Sequence, residues 1–430
     1  IGELVLEPLS VYSDKIDEDS LFNTFTSPEK FKKYTLNDVI TDLLLGNPIL
    51  IIDGINCAFS FGLKYYPVRA ITEPPTSTVL KGPREGFVES LPVNVSLIRR
   101  KIKSPDLKFT YVSVGKFSST PIAICYIKNI ADPTLVETIK KKLEKIDIDA
   151  VLDSSYISKL LTGKQIPLIK QVGNTEKPDI LASKILEGRV AILIDGSPIV
   201  LTVPYLLIED FQSASDYYGS PFNATIARSI RFMSVMLALF LPAFFVAAEL
   251  FHLQLIPLSF LLTIVNSIKG IPLSPSYEMF FTLLIFEILN EASMRMPKYV
   301  GMVVSIVGGL VLGETAVNAG IISAPTLMII ALSGISLYTV PELAQPLSLL
   351  RIIFLLIAGT GGAYAILLGV CLLLIFLISF ENFSTPVFAP FSPLVKEDLK
   401  DTYYKSFIEQ NEFRPKSLKN KNKRRLRVEE

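Results

Sequence analysis

The sequence predicts an α/β domain followed by an all-helical membrane domain. Half of the 430 residues are hydrophobic and the mean hydropathy is +0.45, which is too apolar for a soluble protein of this length. Charged residues of both signs are dense up to about residue 219 and sparse between residues 231 and 380. The chain therefore divides into a soluble part, an apolar part with several predicted helices, and a polar tail.

Four segments follow from this pattern. The soluble part is predicted to hold a mixed sheet in two subdomains, the first of which is expected to be truncated at its start. The membrane domain and a basic cytoplasmic tail follow. The predicted boundaries are residues 1–90, 91–220, 221–394 and 395–430.

Two stretches of the soluble part predict β-hairpins. They read "GNPILIIDGINCAFSF" and "EGRVAILIDGSPIVLTV", and each has Asp-Gly between two β-rich runs, at Asp53-Gly54 and Asp195-Gly196. Asp-Gly between such runs is a strong hairpin signal. An internal repeat and the convergence of two ordinary hairpins both explain the likeness.

Helices are predicted between the strands. In "DPTLVETIKKKLEKI", Asp132 can cap the first turn and Pro133 suits its start. One face carries the apolar residues Leu135, Ile139, Leu143 and Ile146. "SSYISKLLTG" and "KPDILASKILEG" predict two further helices, which together with the strands indicate an α/β domain.

The composition argues against an enzyme and against a nucleic-acid partner. The one histidine is His252, at the end of an apolar run, so the soluble part cannot form a Ser-His-Asp or Cys-His set. "LTGKQ" lacks the upstream glycine of a phosphate loop. The three cysteines have no metal-ligand or disulfide spacing, and the net charge is only +1. We expect no catalytic residue, cofactor or metal.

One loop of the soluble part is a candidate contact surface. In "KGPREGFVESL", glycine and proline force a shaped loop with Arg84 and Glu85 at its tip. Such a loop is either an ordinary surface turn or a contact for another subunit.

The first apolar run, "FMSVMLALFLPAFFVAAELF", is long enough to span a bilayer. Arg228 and Arg231 precede it, which predicts that the soluble domain is cytoplasmic. The next run is short and interrupted by Pro257, which suggests a re-entrant or interfacial segment. The last run, Ile352 to Phe380, has about 29 residues and exceeds one bilayer core, so a hairpin or a partly interfacial helix is expected there.

Two patterns within the apolar part are candidate functional features. Glu287, Glu291 and Arg295 are spaced i, i+4, i+8 and form an ionisable stripe, which predicts either a structural salt bridge or an ion path. Small residues recur every four positions in the next run, which indicates a ridge for close helix packing or the narrow face of a pore helix. The ridge residues are Gly301, Ser305, Gly309 and Gly313.

The tail "RPKSLKNKNKRRLR" is strongly basic. A run of this kind next to a membrane domain favours the cytoplasmic side and anionic lipid, and its composition is also typical of a disordered tail.

The ordered set of these stretches resembles the A subunit of the GerA family of spore germinant receptors. The matching stretches include "GPREGFVESL", "LEKIDIDAVLDSSYI", "EDFQSASDYY", "FEILNEASMRMP" and "FAPFSPLVKEDLKDT", and they cover almost the whole chain. The close paralogue encoded with the dipicolinate-channel genes shares this pattern.

The resemblance implies a multi-pass protein of the spore inner membrane that couples nutrient sensing to germination. It implies a homo-oligomer that forms a ligand-gated cation channel, with a B-type integral membrane subunit and a C-type lipoprotein as partners. Two alternatives remain open, a secondary transporter subunit and a non-conducting membrane scaffold. A transporter would favour paired broken helices in two half-repeats, and no such repeat is evident.

Overall fold

The computed structural model of the chain describes residues 18–27, 29–44, 47–62, 82–163, 170–296 and 313–425, with single residues at 7, 74 and 309. The chain divides into two compact units, Ile1–Arg69 and Ala70–Glu430. The predicted subdomain boundary at residue 90 stays a prediction.

The first unit contains a three-stranded antiparallel sheet in the order β1-β3-β2. Its core is aromatic, with Phe25 packed edge-on against Phe59 and Phe61. The turn at Asp53-Gly54 joins β2 to β3 and confirms the first predicted hairpin, with Gly54 at a φ of 86°. The elements are α1 (Glu18–Thr24), β1 (Lys30–Lys33), α2 (Leu36–Leu44), β2 (Ile49–Ile51) and β3 (Ala58–Phe61).

The second unit begins with a five-stranded sheet in the order β4-β5-β7-β8-β6. The elements are α3 (Leu91–Lys101), β4 (Leu107–Val114), β5 (Thr120–Ile127), α4 (Pro133–Glu144), α5 (Ser154–Thr162), β6 (Gly173–Thr175), α6 (Pro178–Leu186), β7 (Val190–Ile194) and β8 (Val200–Val203). The second predicted hairpin is confirmed as β7–β8. Every described pairing is antiparallel, where a mixed sheet was expected. Strands β7 and β8 are buried along their whole length, and such continuous apolar runs are more typical of parallel strands.

Helices cover both faces of this sheet. Side chains of β5 and β7 alternate between the faces, so Ala123 and Cys125 pack with α3 and α6 while Ile122 and Ile124 pack with α4 and α5. The predicted helix from Pro133 is confirmed. The carboxylate of Asp132 accepts a hydrogen bond from the Thr134 amide (2.9 Å). The predicted apolar face is buried at Leu135, Ile139 and Leu143.

The C-terminal half is mostly helical. Its helices are α7 (Ser215–Tyr218), α8 (Pro221–Phe251), α9 (Leu258–Ile268), α10 (Pro275–Arg295), α11 (Ala324–Leu337) and α12 (Ala344–Ser379). Among the described residues, two helical segments are long and apolar enough to cross a membrane, Pro221–Phe251 and Pro341–Ser379. The chain is thus an α/β region followed by a helical region, as the sequence predicts.

Helix α12 is a hairpin of two helical arms. Gly362 has a non-helical backbone (φ 59°, ψ −146°) between residues 344–361 and 363–379. A Cβ added at Gly369 would lie 2.9 Å from the ring of Phe354, whereas 15 residues of straight helix separate two positions by about 22 Å. The tip at Gly362 lies against Phe251, the last residue of α8. The expectation of a hairpin in the last apolar run agrees with this geometry.

The tail folds back onto the α/β region. The Arg414 Nε donates to the Leu186 carbonyl at the end of α6 (2.7 Å), and the Lys421 amide donates to the Ile130 carbonyl (3.0 Å). The carboxylate of Asp398 accepts from the amides of Lys416 and Ser417, both at 3.0 Å. The described tail is therefore folded, which differs from the expected disorder. The composition shows that the tail is positively charged. It does not show that folding brings backbone carbonyls at a helix end within reach of that charge.

Candidate functional site

The predicted ionisable stripe on α10 divides into two pairs. Glu291 pairs with Arg295 one turn later, at 2.6 Å, and both side chains are largely exposed, at 55% and 78%. Glu287 instead pairs with Arg351 of α12, with 2.5 Å between Oε1 and Nη2. The stripe is therefore not one continuous set of paired charges. Its role as an ion path stays a prediction.

Arg351 organises a buried polar network within the helical region. Its side chain is fully buried, and its Nη1 donates to the Ser333 hydroxyl of α11 at 2.9 Å. Ser333 in turn donates to the Ala238 carbonyl of α8 at 2.8 Å. Together with Glu287 on α10, the network joins four helices through hydrogen-bonded charges. A buried arginine needs such partners, because an unpaired charge among apolar groups is costly.

The sequence carries a signal for Arg351, although this residue was not among the predicted site residues. Arg351 is an ionisable residue in the first arm of a strongly apolar helix, next to Ile352 and one turn before Phe354 and Leu355. Such a residue marks a partner within the bundle.

A second buried carboxylate stabilises the start of α11. Glu278 on α10 is 1% exposed and accepts from both the amide (2.8 Å) and the hydroxyl (2.7 Å) of Ser323. Ser323 is the N-cap of α11. This pair therefore holds the start of α11 against α10.

The structure describes half of the predicted small-residue ridge. Gly309 is exposed, and no atom of a described residue lies within 4 Å of the point where its Cβ would stand. A Cβ at Gly313 would lie 3.2 Å from Leu327 of α11. Gly301 and Ser305 lie outside the described residues. The ridge stays a prediction.

The predicted contact loop is accessible. Arg84 is exposed, and Glu85 is paired with Arg100 of α3 at 2.5 Å and with Lys101 at 3.7 Å. The pairing holds the loop against α3. The role of this loop in subunit contact stays a prediction.

Four charged groups connect the α/β region, the first long helix and the tail. We call Asp216, Arg228, Arg231 and Asp401 the junction. Asp216 is 4% exposed and accepts from Arg231 at 2.7 and 2.9 Å and from the Arg228 Nε at 3.2 Å. Arg228 also reaches the tail, where its guanidinium donates to the Asp401 carboxylate (3.2 Å) and to the Asp401 carbonyl (2.8 Å).

The charged groups of the junction stabilise one another. Burial alone would raise the pKa of Asp216, but hydrogen bonds from Arg231 and from the Ser213 amide outweigh it and hold that pKa below its usual value. The guanidinium of Arg228 is fully buried and its donors reach carboxylate and carbonyl oxygens. The short connection between the α/β region and α8 is thereby fixed by bidentate, charge-assisted hydrogen bonds. The sequence pattern did not predict these partners.

Comparison with known proteins identifies the family. The profile of the Bacillus/Clostridium GerA spore germination proteins matches residues 1–417. The chain belongs to the GerA family of spore germination proteins. This agrees with the resemblance seen in the sequence.

Individual relatives match over most of the chain. Spore germination protein KA of Bacillus subtilis (strain 168) is 35% identical over 435 residues, covering 98% of this chain and 79% of that protein. Spore germination protein GerLA of Bacillus cereus is 33% identical over 405 residues, covering 94% of this chain and 82% of that protein. A membrane protein of Bacillus subtilis, YfkQ, is 34% identical over 411 residues, covering 94% of this chain and 80% of that protein.

One solved structure also matches. It is the N-terminal domain of the A subunit of the Bacillus megaterium spore germinant receptor GerK3, with 33% identity and a TM-score of 0.25. The match covers 41% of this chain and 63% of that chain.

Proposed function

We propose that the chain is the A-type membrane subunit of a spore germinant receptor, in which it couples nutrient sensing to germination. The GerA match over residues 1–417 and the relatives named as spore germination proteins support this role. A B-type membrane subunit and a C-type lipoprotein are the proposed partners. No catalytic step is part of the proposal.

The junction is the observation that carries the proposed coupling. A domain that senses a signal can act on a membrane helix only if the connection between them does not absorb its movement. The ion pair between Asp216 and Arg228 links the connection to α8. The ion pair between Asp401 and Arg228 links the tail to the same helix. A displacement of the α/β region would therefore be passed to the base of α8.

The proposed topology places the α/β region in the cytoplasm. Arg228 and Arg231 at the start of α8 favour the cytoplasmic side. The hairpin of α12 begins and ends near the α/β region, since Glu342 contacts Lys170 (2.5 Å) and the Leu207 amide donates to Val387 (2.9 Å). Each arm of this hairpin crosses the membrane once, so the tail returns to the side of the α/β region, against which it packs.

We further propose that copies of the chain assemble into a cation channel, with the Gly309 face as a helix-packing or pore-lining surface. Gly309 is exposed, so a neighbouring chain could approach its backbone closely. A transporter subunit and a non-conducting scaffold are the competing functions.

Ion flux in reconstituted liposomes tests this proposal. Gly309→Leu adds bulk where no described neighbour lies, so it should not disturb the chain itself. Ala331→Leu, at an exposed position of α11, is the matched control and should leave assembly and flux unchanged. We expect Gly309→Leu either to abolish assembly on a sizing column or to block cation flux in an intact assembly. Unchanged assembly and flux would mean that the ridge faces lipid and would rule out the four ridge residues as a functional site.

A further inference from the structure

A cavity of about 850 Å³ lies where the sheet edge, the base of the helices and the tail meet. Strand β6 and helix α6 form one side of it. Arg231 of α8, Glu342 before α12, and Lys405 and Arg425 of the tail form the other. The cavity is lined by charged groups of both signs and adjoins the junction through Arg231.

Several residues that line this cavity carry unsatisfied polar atoms. Among the described residues, ten buried side-chain nitrogen or oxygen atoms have no hydrogen-bond partner, and five of these belong to residues that line it. Two of the five, Arg189 Nε and Glu209 Oε2, belong to groups that are already ion-paired. The other three atoms are Asn174 Oδ1, Lys177 Nζ and Asp179 Oδ1.

Lys177 is the most unusual of these. Its side chain is fully buried, and its ammonium makes no hydrogen bond or ion pair with any residue that the structure describes. Lysines are rarely buried to this extent without a partner, because losing water around an ammonium is costly unless an anion replaces it. Lys177 also precedes the first turn of α6, a helix end that attracts anions.

The other charges around the cavity largely satisfy one another. Lys170 pairs with Asp210 (3.5 Å) and Glu342 (2.5 Å), and Lys184 pairs with Glu209 (2.6 Å). Among the described residues that line the cavity, these pairs leave Lys177 as the buried cation without an ion-pair partner. The Asp179 carboxylate accepts from the Tyr218 hydroxyl through Oδ2 (2.7 Å), so its Oδ1 is open to a second donor.

We propose that this cavity binds a small ligand that carries a phosphate or carboxylate next to hydroxyl or ammonium donors. The anionic group pairs with Lys177, and the donors reach Asn174 Oδ1 and Asp179 Oδ1. A soluble metabolite and the headgroup of a phosphatidylglycerol lipid both have this chemistry. The proposal goes beyond the receptor role and does not depend on channel formation.

The test uses the full chain in phosphatidylcholine nanodiscs, with thermal unfolding as the readout. The soluble probes are glycerol 3-phosphate, lactate, and methyl phosphate as an anion without the hydroxyl donors. Lys177→Met removes the ammonium and keeps the volume. Lys159→Met, at an exposed position of α5, is the matched control. Nanodiscs that contain phosphatidylglycerol form the lipid arm.

We expect glycerol 3-phosphate or lactate to raise the unfolding temperature of the wild type and of Lys159→Met, and to bind Lys177→Met roughly tenfold or more weakly. Methyl phosphate should bind less tightly than glycerol 3-phosphate, and Asp179→Asn should reduce that preference. Stabilisation that depends on Lys177 only with phosphatidylglycerol would identify the headgroup as the ligand.

Two results would overturn the proposal. One is that no probe and no lipid gives a stabilisation that depends on Lys177. The other is that Lys177→Met unfolds at a lower temperature than the wild type without any probe, which would make Lys177 a structural residue. Lys177→Gln, which keeps a polar side chain, provides the same comparison if the Met variant does not fold.

Discussion

Replacing Arg351 with methionine should destabilise the helical region far more than the same change at Arg295. Arg351 is fully buried and joins Glu287 to Ser333, whereas Arg295 is 78% exposed and, among the described residues, pairs with Glu291 of its own helix. Removing one partner of a buried pair costs about 3–5 kcal/mol. The Glu287 side chain retains 20% exposure, so we expect about 3 kcal/mol. An exposed i,i+4 pair contributes only about 0.3–0.5 kcal/mol.

Calorimetric unfolding of the purified protein in detergent micelles measures this difference. The double variant Glu287→Gln with Arg351→Met should recover most of the loss, because it leaves no unpaired charge. A double-mutant cycle completed with Glu287→Gln should then give a coupling of about 2 kcal/mol or more between the two residues. If Arg351→Met and Arg295→Met unfold alike, the buried network does not hold the four helices together and the reasoning fails.

Three further predictions concern the junction and the tail. Arg228→Lys cannot reach all of its carboxylate and carbonyl partners, so trypsin should cleave the tail roughly tenfold faster or more, and an unchanged rate would argue against the junction. Gly188→Ala should also expose the tail to trypsin, because its Cβ would clash with the Asn420 side chain. Gly196→Ala has a similar positive φ but no described neighbour within 4 Å, so it should leave the tail protected, and equal cleavage of the two variants would contradict the packed tail. Asp216 has a lowered pKa, so its stabilising contribution is present above its unfolded pKa of about 3.9 and is lost as the pH falls through the lower folded value. The difference in unfolding temperature between wild type and Asp216→Asn should therefore shrink below about pH 4, and a difference that persists there would refute the assignment.

Local sequence patterns predicted the elements of the fold well. The helix from Pro133 follows from a cap, a proline and an apolar face within 15 residues, and all three act locally. The hairpins at Gly54 and Gly196 follow from the turn residues themselves, both of which have a φ of 86°. Beyond these two hairpins, strand direction was not predicted, because strands that are buried on both faces have continuous apolar runs, which are more typical of parallel sheets.

Long-range partners could not be predicted in the same way. Glu287 and Arg351 are 64 positions apart, and Arg228 and Asp401 are 173 apart. Nothing in the spacing of these residues identifies their partners, so the sequence predicts the stripe on α10 without Arg351. The packed tail depends on carbonyls of the α/β region, such as that of Leu186, that only the folded chain presents.

Cation release from spores tests the receptor role most directly. Spores of the producing organism that lack this chain would be compared with wild-type spores, and with spores that carry the restored chain, across a panel of amino acids and sugars. The account predicts that at least one nutrient triggers cation release in wild-type and restored spores but not in spores that lack the chain. Identical release in all three kinds of spore for every nutrient would contradict it.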